Sequence, residues 1–379
     1  GMLTSALQGD VALTPMRGGV DWAAQRPGST FAVGAVCRAD ELTDYEYRIE
    51  CRVSENRCDV IAEQLFRKKY RTNKSGQRTS VAGTVKLFRT DQCTETAPNI
   101  VARLYNEKQG TPRTLGRSHS VLFQLVGQKL RQEIQDGVSI VIDSCKEIFY
   151  LDPIPSHMRA YSPLADKLDS DAKNIAGVIA ALPESKQKDI EAVLTKYASK
   201  LPERDIRNVY AETVGKFKSD AMLYCEEDWI GVGDSHTIDA RGMSDGTLRF
   251  LAILTALLTR PEKSLLVIEE IDNGLHPSRA SMLLDMLRTI GKQRGVDILA
   301  TTHNPALLDA MGTEMVPFIT VAHRDRKTGH SILVLLEDIK QLPKLLAQGT
   351  IGRLSSRGLI ERSLQQSLDF GETGESENV

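Results

Sequence analysis

Three short runs in the second half of the chain carry residue types that could do chemistry together: Ser244-Asp245-Gly246, Glu269-Glu270 and His303. The two acids come after Leu265-Leu266-Val267-Ile268, four consecutive apolar residues of the kind that fill a strand covered on both faces. The carboxylates therefore fall where that strand ends, and in doubly wound sheets ligands bind at the carboxyl ends of strands. One acid there can hold a magnesium ion through water, and the next can orient or deprotonate an attacking water. The plainer alternative is a pair of acids opening a solvated turn. Ser244 and Gly246 precede the apolar run from Leu248, as a helix start does. Such a start offers unpaired N–H groups, a hydroxyl and the positive end of the helix dipole, which suit a phosphate. A bare N-cap uses the same residues without a ligand. His303 comes after Ile298-Leu299-Ala300-Thr301-Thr302, again at the end of a strand-like run, where it can hydrogen-bond a phosphate oxygen or simply be solvated.

These residues need elements to position them. The pattern predicts a buried helix over Leu248 to Leu258, a buried strand over Ser264 to Ile268, an amphipathic helix over Ser278 to Lys292 and a strand over Asp297 to Thr301. Asn304-Pro305 then opens another helix, with Asn as the cap and Pro at the first position. Phe318 to Ala322 and Ser331 to Leu336 finish the sheet as an antiparallel pair. Helix alternating with strand implies βαβ crossovers and a largely parallel sheet.

The first third has a different pattern. Phe31 to Cys37, the alternating Tyr45 to Val53 and Thr84 to Phe88 predict strands, with a polar loop at Thr72 to Ser80. Val138 to Ile142 and Glu147 to Leu151 are short apolar runs. Helices are predicted over Ser118 to Gln135, over Asp169 to Leu201 with a break at Pro183, and over Asp205 to Lys218. Met2 to Gly9 reads as the end of a helix and Gly371 to Val379 as a disordered acidic tail.

In composition the chain is an ordinary globular one: 379 residues, 41% hydrophobic, 26% charged, formal net charge -2. That charge excludes a uniformly basic nucleic-acid coat. The six cysteines form no C-x-x-C pair, which argues against a zinc site or disulfide framework. No apolar run reaches the length of a membrane span and no signal peptide is evident, so a soluble cytoplasmic protein is expected.

Taken in order, the three runs lie about 25 and 33 residues apart. They resemble the signature motif, Walker B motif and H-loop of ABC-type ATPase heads, a P-loop NTPase-like α/β fold. The likeness is greatest to the RecF/structural-maintenance-of-chromosomes (SMC) branch and its stand-alone bacterial AAA-type core ATPases. Those carry a run like Glu269-Glu270-Ile271-Asp272-Asn273-Gly274-Leu275-His276-Pro277, usually with Pro in place of Ile271, and a signature like Met243 to Leu251. Asp245 stands where transporters have Gly. The resemblance covers Ser235 to Met311 well and the stretch Leu151 to Leu164 more weakly. It implies ATP and Mg²⁺ as cofactors, Glu269 as the metal acid, Glu270 as the catalytic base and His303 as the switch histidine. Ser244, Asp245 and Gly246 would be the signature that meets the opposite subunit's nucleotide, with Asn273 in the D-loop. It further implies a homodimer in the ATP-bound state, DNA or an operon-encoded protein as partner, and no membrane. The domains expected on this basis are 1–165 (lobe I with an antiparallel β subdomain), 166–218 (a projecting helical insertion), 219–350 (the motif-bearing half) and 351–379 (an extension).

One part of such a head is missing from the sequence. No G-x-x-x-x-G-K-[ST] run, whose amides and lysine hold phosphates, occurs in the 379 residues; Asn73 to Gly76 and Val214 to Lys216 lack its spacing. A start placed too late, a truncation or a pseudo-ATPase would each explain this, and the chain as written is expected to be inactive alone. The densest basic run, Arg67-Lys68-Lys69-Tyr70-Arg71 with Lys74 and Arg78, suits either DNA phosphates or a solvated hairpin. Two function classes remain: an ATP-gated dimerisation switch in DNA repair, maintenance or defence, and a non-catalytic interaction module that keeps the fold. A Toprim-bearing nuclease is disfavoured by the short stretch after the last strand, and a transporter subunit by Asp245 and the β-rich first third.

Overall fold

A computed structural model describes residues 24, 28–54, 57–94, 96–105, 110–201, 206–228 and 235–371. The expected helix end at Met2 to Gly9 and the acidic tail after Gly371 lie outside these. The chain divides into two compact units, Gly1–Ile148 and Phe149–Val379.

In the first unit, strands separated by short turns pair with their sequence neighbours, which only antiparallel pairing allows. The result is a six-stranded meander: β1 (Thr30–Asp40), β2 (Thr43–Ser54), β3 (Arg57–Thr72), β4 (Arg78–Thr90), β5 (Asn99–Leu104) and β6 (Thr111–Gly116). Along β2 the alternation seen in the sequence puts Tyr45, Tyr47, Ile49, Cys51 and Val53 into the core. The helix predicted over Ser118 to Gln135 is not continuous. A short helix, Val121–Gln124, stops before Gly127, whose φ of +75° belongs to a turn; the long helix is Gln132–Lys146. It buries Ile134, Val138, Val141, Ile142 and Cys145. Gly137 allows the close approach: a Cβ there would lie 2.5 Å from Leu87 Cδ1 and 2.9 Å from Tyr45 Cε1.

The basic run lies on the β3–β4 hairpin, and three of its six cations pair with acids of β2 and of the helix Gln132–Lys146. Arg67 faces Glu133 at 3.4 Å, Lys68 pairs with Glu46, and Arg78 bridges to Asp44 at 2.8 Å while lying 3.6 Å over the Tyr70 ring. These pairs favour the solvated-hairpin alternative.

The second unit is mixed rather than largely parallel. β12 (Leu265–Ile268) and β13 (Asp297–Ala300) pair in parallel, with β7 (Ile148–Leu151) on the other side of β12. The helix Ala280–Arg294 supplies the crossover that parallel neighbours require, and ends on Gly295 in the left-handed region. By contrast, β10 (Asp220–Asp228) pairs antiparallel with β8 (Ser162–Pro163), β9 (Ile206–Val214) and β11 (Ser235–Asp239). β14 (Thr320–Arg324) and β15 (Ser331–Leu335) are the antiparallel pair expected, yet they form a hairpin sheet of their own and do not finish the parallel one.

Two further expectations are corrected. The segment predicted as a helix up to Lys218 is β9, because Ile206, Val209 and Ala211 point into the core and Val209, Tyr210, Thr213 and Val214 favour strand. The helices Ile175–Ala180 and Glu184–Ala198 do break at Pro183, as predicted. They do not project: Ile175, Val178, Ile179, Leu194 and Tyr197 are buried in the same core as the helix Asp245–Thr259. A smaller C-terminal core gathers Leu336, Leu342, Ile351, Leu354 and Leu364. Among the described residues, no helix is long and apolar enough to cross a membrane.

Candidate functional site

β12 and β13 run in the same direction with Ile268 beside Ala300, so the chain leaves both strands at one rim. Glu269 and Glu270 come directly after β12, and Thr301 to His303 directly after β13. The two stretches are stitched together: Thr301 N–H donates to the Ile268 carbonyl at 3.0 Å, Ile271 N–H to the Thr301 carbonyl at 3.1 Å, and Glu270 N–H to Thr301 Oγ1 at 3.0 Å. Thr302 Oγ1 donates to Asp272 Oδ1 at 2.5 Å. The structure thus brings the acid pair and His303 to the same end of adjacent strands.

Glu270 has φ of +44°, the left-handed region that a side chain with a Cβ seldom occupies. Such strain persists only where neighbours over-determine it. Here the neighbours are Thr301 on its N–H, Asn273 N–H on its carbonyl at 2.8 Å, and Asn273 Nδ2 on its carboxylate at 3.3 Å. Its side chain is exposed. Glu269, half-buried, accepts a hydrogen bond from the Tyr150 hydroxyl at 2.8 Å. His303 is exposed.

Ser244 caps the helix Asp245–Thr259, as its place in the sequence predicted. Its Oγ accepts from Thr247 N–H at 3.1 Å and lies 2.8 Å from Thr247 Oγ1. Asp245 is exposed and receives Arg159 Nη2 at 2.8 Å, which also donates to the Met243 carbonyl at 3.0 Å. Gly246 is buried against the 270s loop: a Cβ there would lie 2.7 Å from the Gly274 carbonyl oxygen and 2.9 Å from Arg279 Nη1. Gly274 itself has φ of +72°. Ser244–Gly246, Asn273–Gly274 and Glu270 are therefore linked by direct contacts.

Sequence reasoning missed Tyr150, Arg159, Arg279 and Thr301 as partners of these residues. Arg159 lies in the weakly resembling stretch Leu151 to Leu164, the one signal that could have found it. Asn304 caps the next helix as predicted, accepting from Ala306 N–H at 2.9 Å with Pro305 at the first turn. Among the described residues, no cluster of three or more His, Cys, Asp or Glu side chains could hold a metal. An ion at Glu269 would rely on phosphate oxygens and water for its remaining ligands, as Mg²⁺ commonly does.

The site is thus one of an α/β domain whose candidate groups stand at the carboxyl ends of parallel strands beside a helix start. A family model described as "AAA domain, putative AbiEii toxin, Type IV TA system" matches residues 97–309, more than half of the chain. The chain belongs to that family. Locally it is similar to ABC-type ATP-binding subunits. The methionine import ATP-binding protein MetN of Bradyrhizobium diazoefficiens (strain USDA 110) is 31% identical over 87 residues, 23% of this chain and 25% of the relative. MetN of Rhizobium meliloti (strain 1021) is 26% identical over 132 residues, 32% of this chain and 36% of the relative. The chain spans about a quarter to a third of the length of these relatives. Solved structures give looser likenesses. An Smc head bound to the C-winged helix domain of ScpA has a TM-score of 0.37 at 12% identity, over 77% of this chain and 75% of the other. The Smc head with an extended coiled coil bound to the C-terminal domain of ScpA, from Pyrococcus furiosus, has a TM-score of 0.35 at 12% identity, over 92% and 91%.

Proposed function

We propose that the chain provides the signature, acidic and histidine elements of an ABC-type ATPase head of the RecF/SMC kind, an ATP-gated dimerisation switch serving DNA repair, DNA maintenance or defence. The observation that carries this reading is the exposed Glu270 at positive φ, its backbone fixed by Thr301 and Asn273, on the rim it shares with Glu269 and His303. In this reading Glu269 would hold Mg²⁺, its carboxylate fixed by the Tyr150 hydroxyl. Glu270 accepts a proton from the attacking water. His303 donates a hydrogen bond to the terminal phosphate, and the start of the helix at Ser244 to Gly246 offers N–H groups to the nucleotide of a second subunit. Bound Mg²⁺ would supply charge neutralisation of the phosphate oxygens. The residues present fit the metal, the water and the terminal phosphate. They do not supply a glycine-rich cradle for the inner phosphates, so we infer that these 379 residues bind ATP weakly.

The decisive measurement uses a form of the protein that includes a phosphate-binding loop ahead of Met2. There Glu270→Gln is expected to keep ATP binding and lose hydrolysis by about 10²- to 10⁴-fold, the usual worth of a placed base. Hydrolysis at the parent rate would make Glu270 a structural acid. The absence of the G-K-[ST] run from these residues favours a second reading, a non-catalytic interaction module. It predicts that no form of the protein hydrolyses ATP and that Glu270→Gln is silent in every assay.

A further inference from the structure

β4 is 13 residues long and β5 only 6, so the strand that flanks β4 on the side away from β3 covers part of it. β5 pairs with Phe88, Arg89 and Thr90, and toward the hairpin one further bond runs from Tyr105 N–H to the Leu87 carbonyl at 3.0 Å. Among the described residues, no strand lies along that side of β4 from Arg78 to Lys86. Thr79 to Val85 are all exposed, Val81 by 48% and Val85 by 38%. Such an edge presents a row of unpaired N–H and C=O groups that another chain can pair with, and proteins commonly blunt it with charge or proline. Thr79-Ser80-Val81-Ala82-Gly83-Thr84-Val85 has neither, and its Val and Thr residues favour strand. Shifts in the β3–β4 register at Lys69/Tyr70 and Tyr70/Thr72 interrupt the edge without covering it.

We propose that this edge takes an acidic, extended segment of a partner protein as an added strand, in the row that β5 leaves at Tyr105. The charge around the edge selects that occupant. From Arg67 to Lys86 the hairpin carries seven Lys and Arg residues and no Asp or Glu. Glu133, Glu46 and Asp44 pair with Arg67, Lys68 and Arg78, while Lys69, Arg71 and Lys74 are exposed. Arg78 and Lys86 bracket the uncharged stretch. A second copy of the chain would set one basic hairpin against another, and like charges facing each other across a ladder are destabilising. A nucleic acid needs cations along its path, and the edge has none between Arg78 and Lys86. In strand addition, main-chain hydrogen bonds give the affinity and side chains of the guest give the specificity. Val81 and Val85 offer the guest apolar neighbours, and acids toward its ends meet the cations. This binding needs no nucleotide, so it stands apart from the ATPase proposal.

The test uses the full chain and three fluorescent peptides of equal length: one alternating glutamate with valine, one alternating lysine with valine, and one like the first with proline at its centre. Fluorescence anisotropy reads binding, and amide hydrogen exchange reads the site. The glutamate peptide is expected to bind and to slow exchange within Thr79 to Val85. The proline peptide keeps the charge but breaks the ladder, and is expected to bind about tenfold more weakly. The lysine peptide is expected not to bind. Val81→Asp should weaken the glutamate peptide by about threefold, because like charges then meet across the ladder, whereas Val81→Thr should not. Equal binding of the proline peptide, no binding of the glutamate peptide at about millimolar concentration, or binding that leaves Thr79 to Val85 exchanging freely would each overturn the proposal. Exchange there that slows with protein concentration alone would put a second copy on the edge. A single-stranded oligonucleotide that slows these amides where the glutamate peptide does not would assign the edge to nucleic acid. Either result also overturns the proposal, and the comparison of peptides on the parent chain stands whether or not the Asp variant folds.

Discussion

Glu63 is a carboxylate placed where water cannot reach it. It accepts from the Tyr47 hydroxyl at 2.9 Å and from the N–H groups of Val121 and Leu122 at 2.6 and 2.7 Å, and is 1% exposed. Burial pushes its pKa up to about 7, against the pull of those three donors. The folded protein therefore holds this proton more tightly than the unfolded chain does. Between the ordinary value of 4.5 and about 7, the folded state keeps a proton that the unfolded state has lost, so stability falls as pH rises across that window and levels off above it. Glu63→Gln removes this slope. Urea unfolding at pH 5 and at pH 7.5 should show the parent losing up to about 3 kcal/mol more than the variant between the two. Equal pH slopes would mean that Glu63 titrates alike in both states. Thr301 is the second residue that decides a local geometry. Thr301→Val removes the oxygen that receives Glu270 N–H and leaves a donor unpaired at a strained φ, a loss of about 1 kcal/mol. If Glu270 is the base, hydrolysis in a loop-bearing form should fall by about tenfold or more while the unfolding midpoint moves little. A variant as active as the parent would show that Thr301 does not position Glu270.

The helix Asp245–Thr259 is the element on which the site turns, because Gly246 seats its first turn on the 270s loop. Gly246→Ala would press a methyl group against the Gly274 carbonyl and Arg279, and overpacking of this kind costs about 1–3 kcal/mol. Denaturant titration should register that loss, and an unchanged midpoint would show that the loop yields freely. Much of this element level was legible in the sequence. A run of apolar residues ending in two acids, and a Ser ahead of an apolar helix, are consequences of where strands and helices must stop, so β12, the capped helix and the cap at Asn304 were readable. The misread elements failed for physical reasons. The helix read over Ser118 to Gln135 ends early because the turn at Gly127 interrupts it, and the long helix begins only at Gln132, taking in the apolar run Val138 to Ile142. The segment ending at Val214 carries enough charge to resemble a helix, but β10 offers it a ladder, and pairing overrides local preference. Tyr150 and Arg159 reach the site from a distant stretch of chain, and no spacing rule connects residues that only the fold brings together.

At the scale of the whole molecule, the proposed switch requires two copies to meet through the start of the helix at Ser244. Ser244 and Asp245 are exposed there, while Gly246 is covered by its own 270s loop, so the face offered to a partner is the rim formed by the first two residues. Ser244→Arg places a long cation where a terminal phosphate would approach, and removes the hydroxyl that caps the helix at Thr247. Loss of such a cap costs about 1 kcal/mol, too little to unfold the domain, so the variant should remain a folded monomer. Glu270→Gln should do the opposite in a loop-bearing form, because it leaves the nucleotide bound and unhydrolysed. Size-exclusion profiles with ATP and Mg²⁺ separate the two: Glu270→Gln is expected to accumulate as a dimer, Ser244→Arg to stay monomeric, and the double variant to behave like Ser244→Arg. A dimer that survives Ser244→Arg would place the interface elsewhere and remove the signature role from this helix, even if hydrolysis still depended on Glu270.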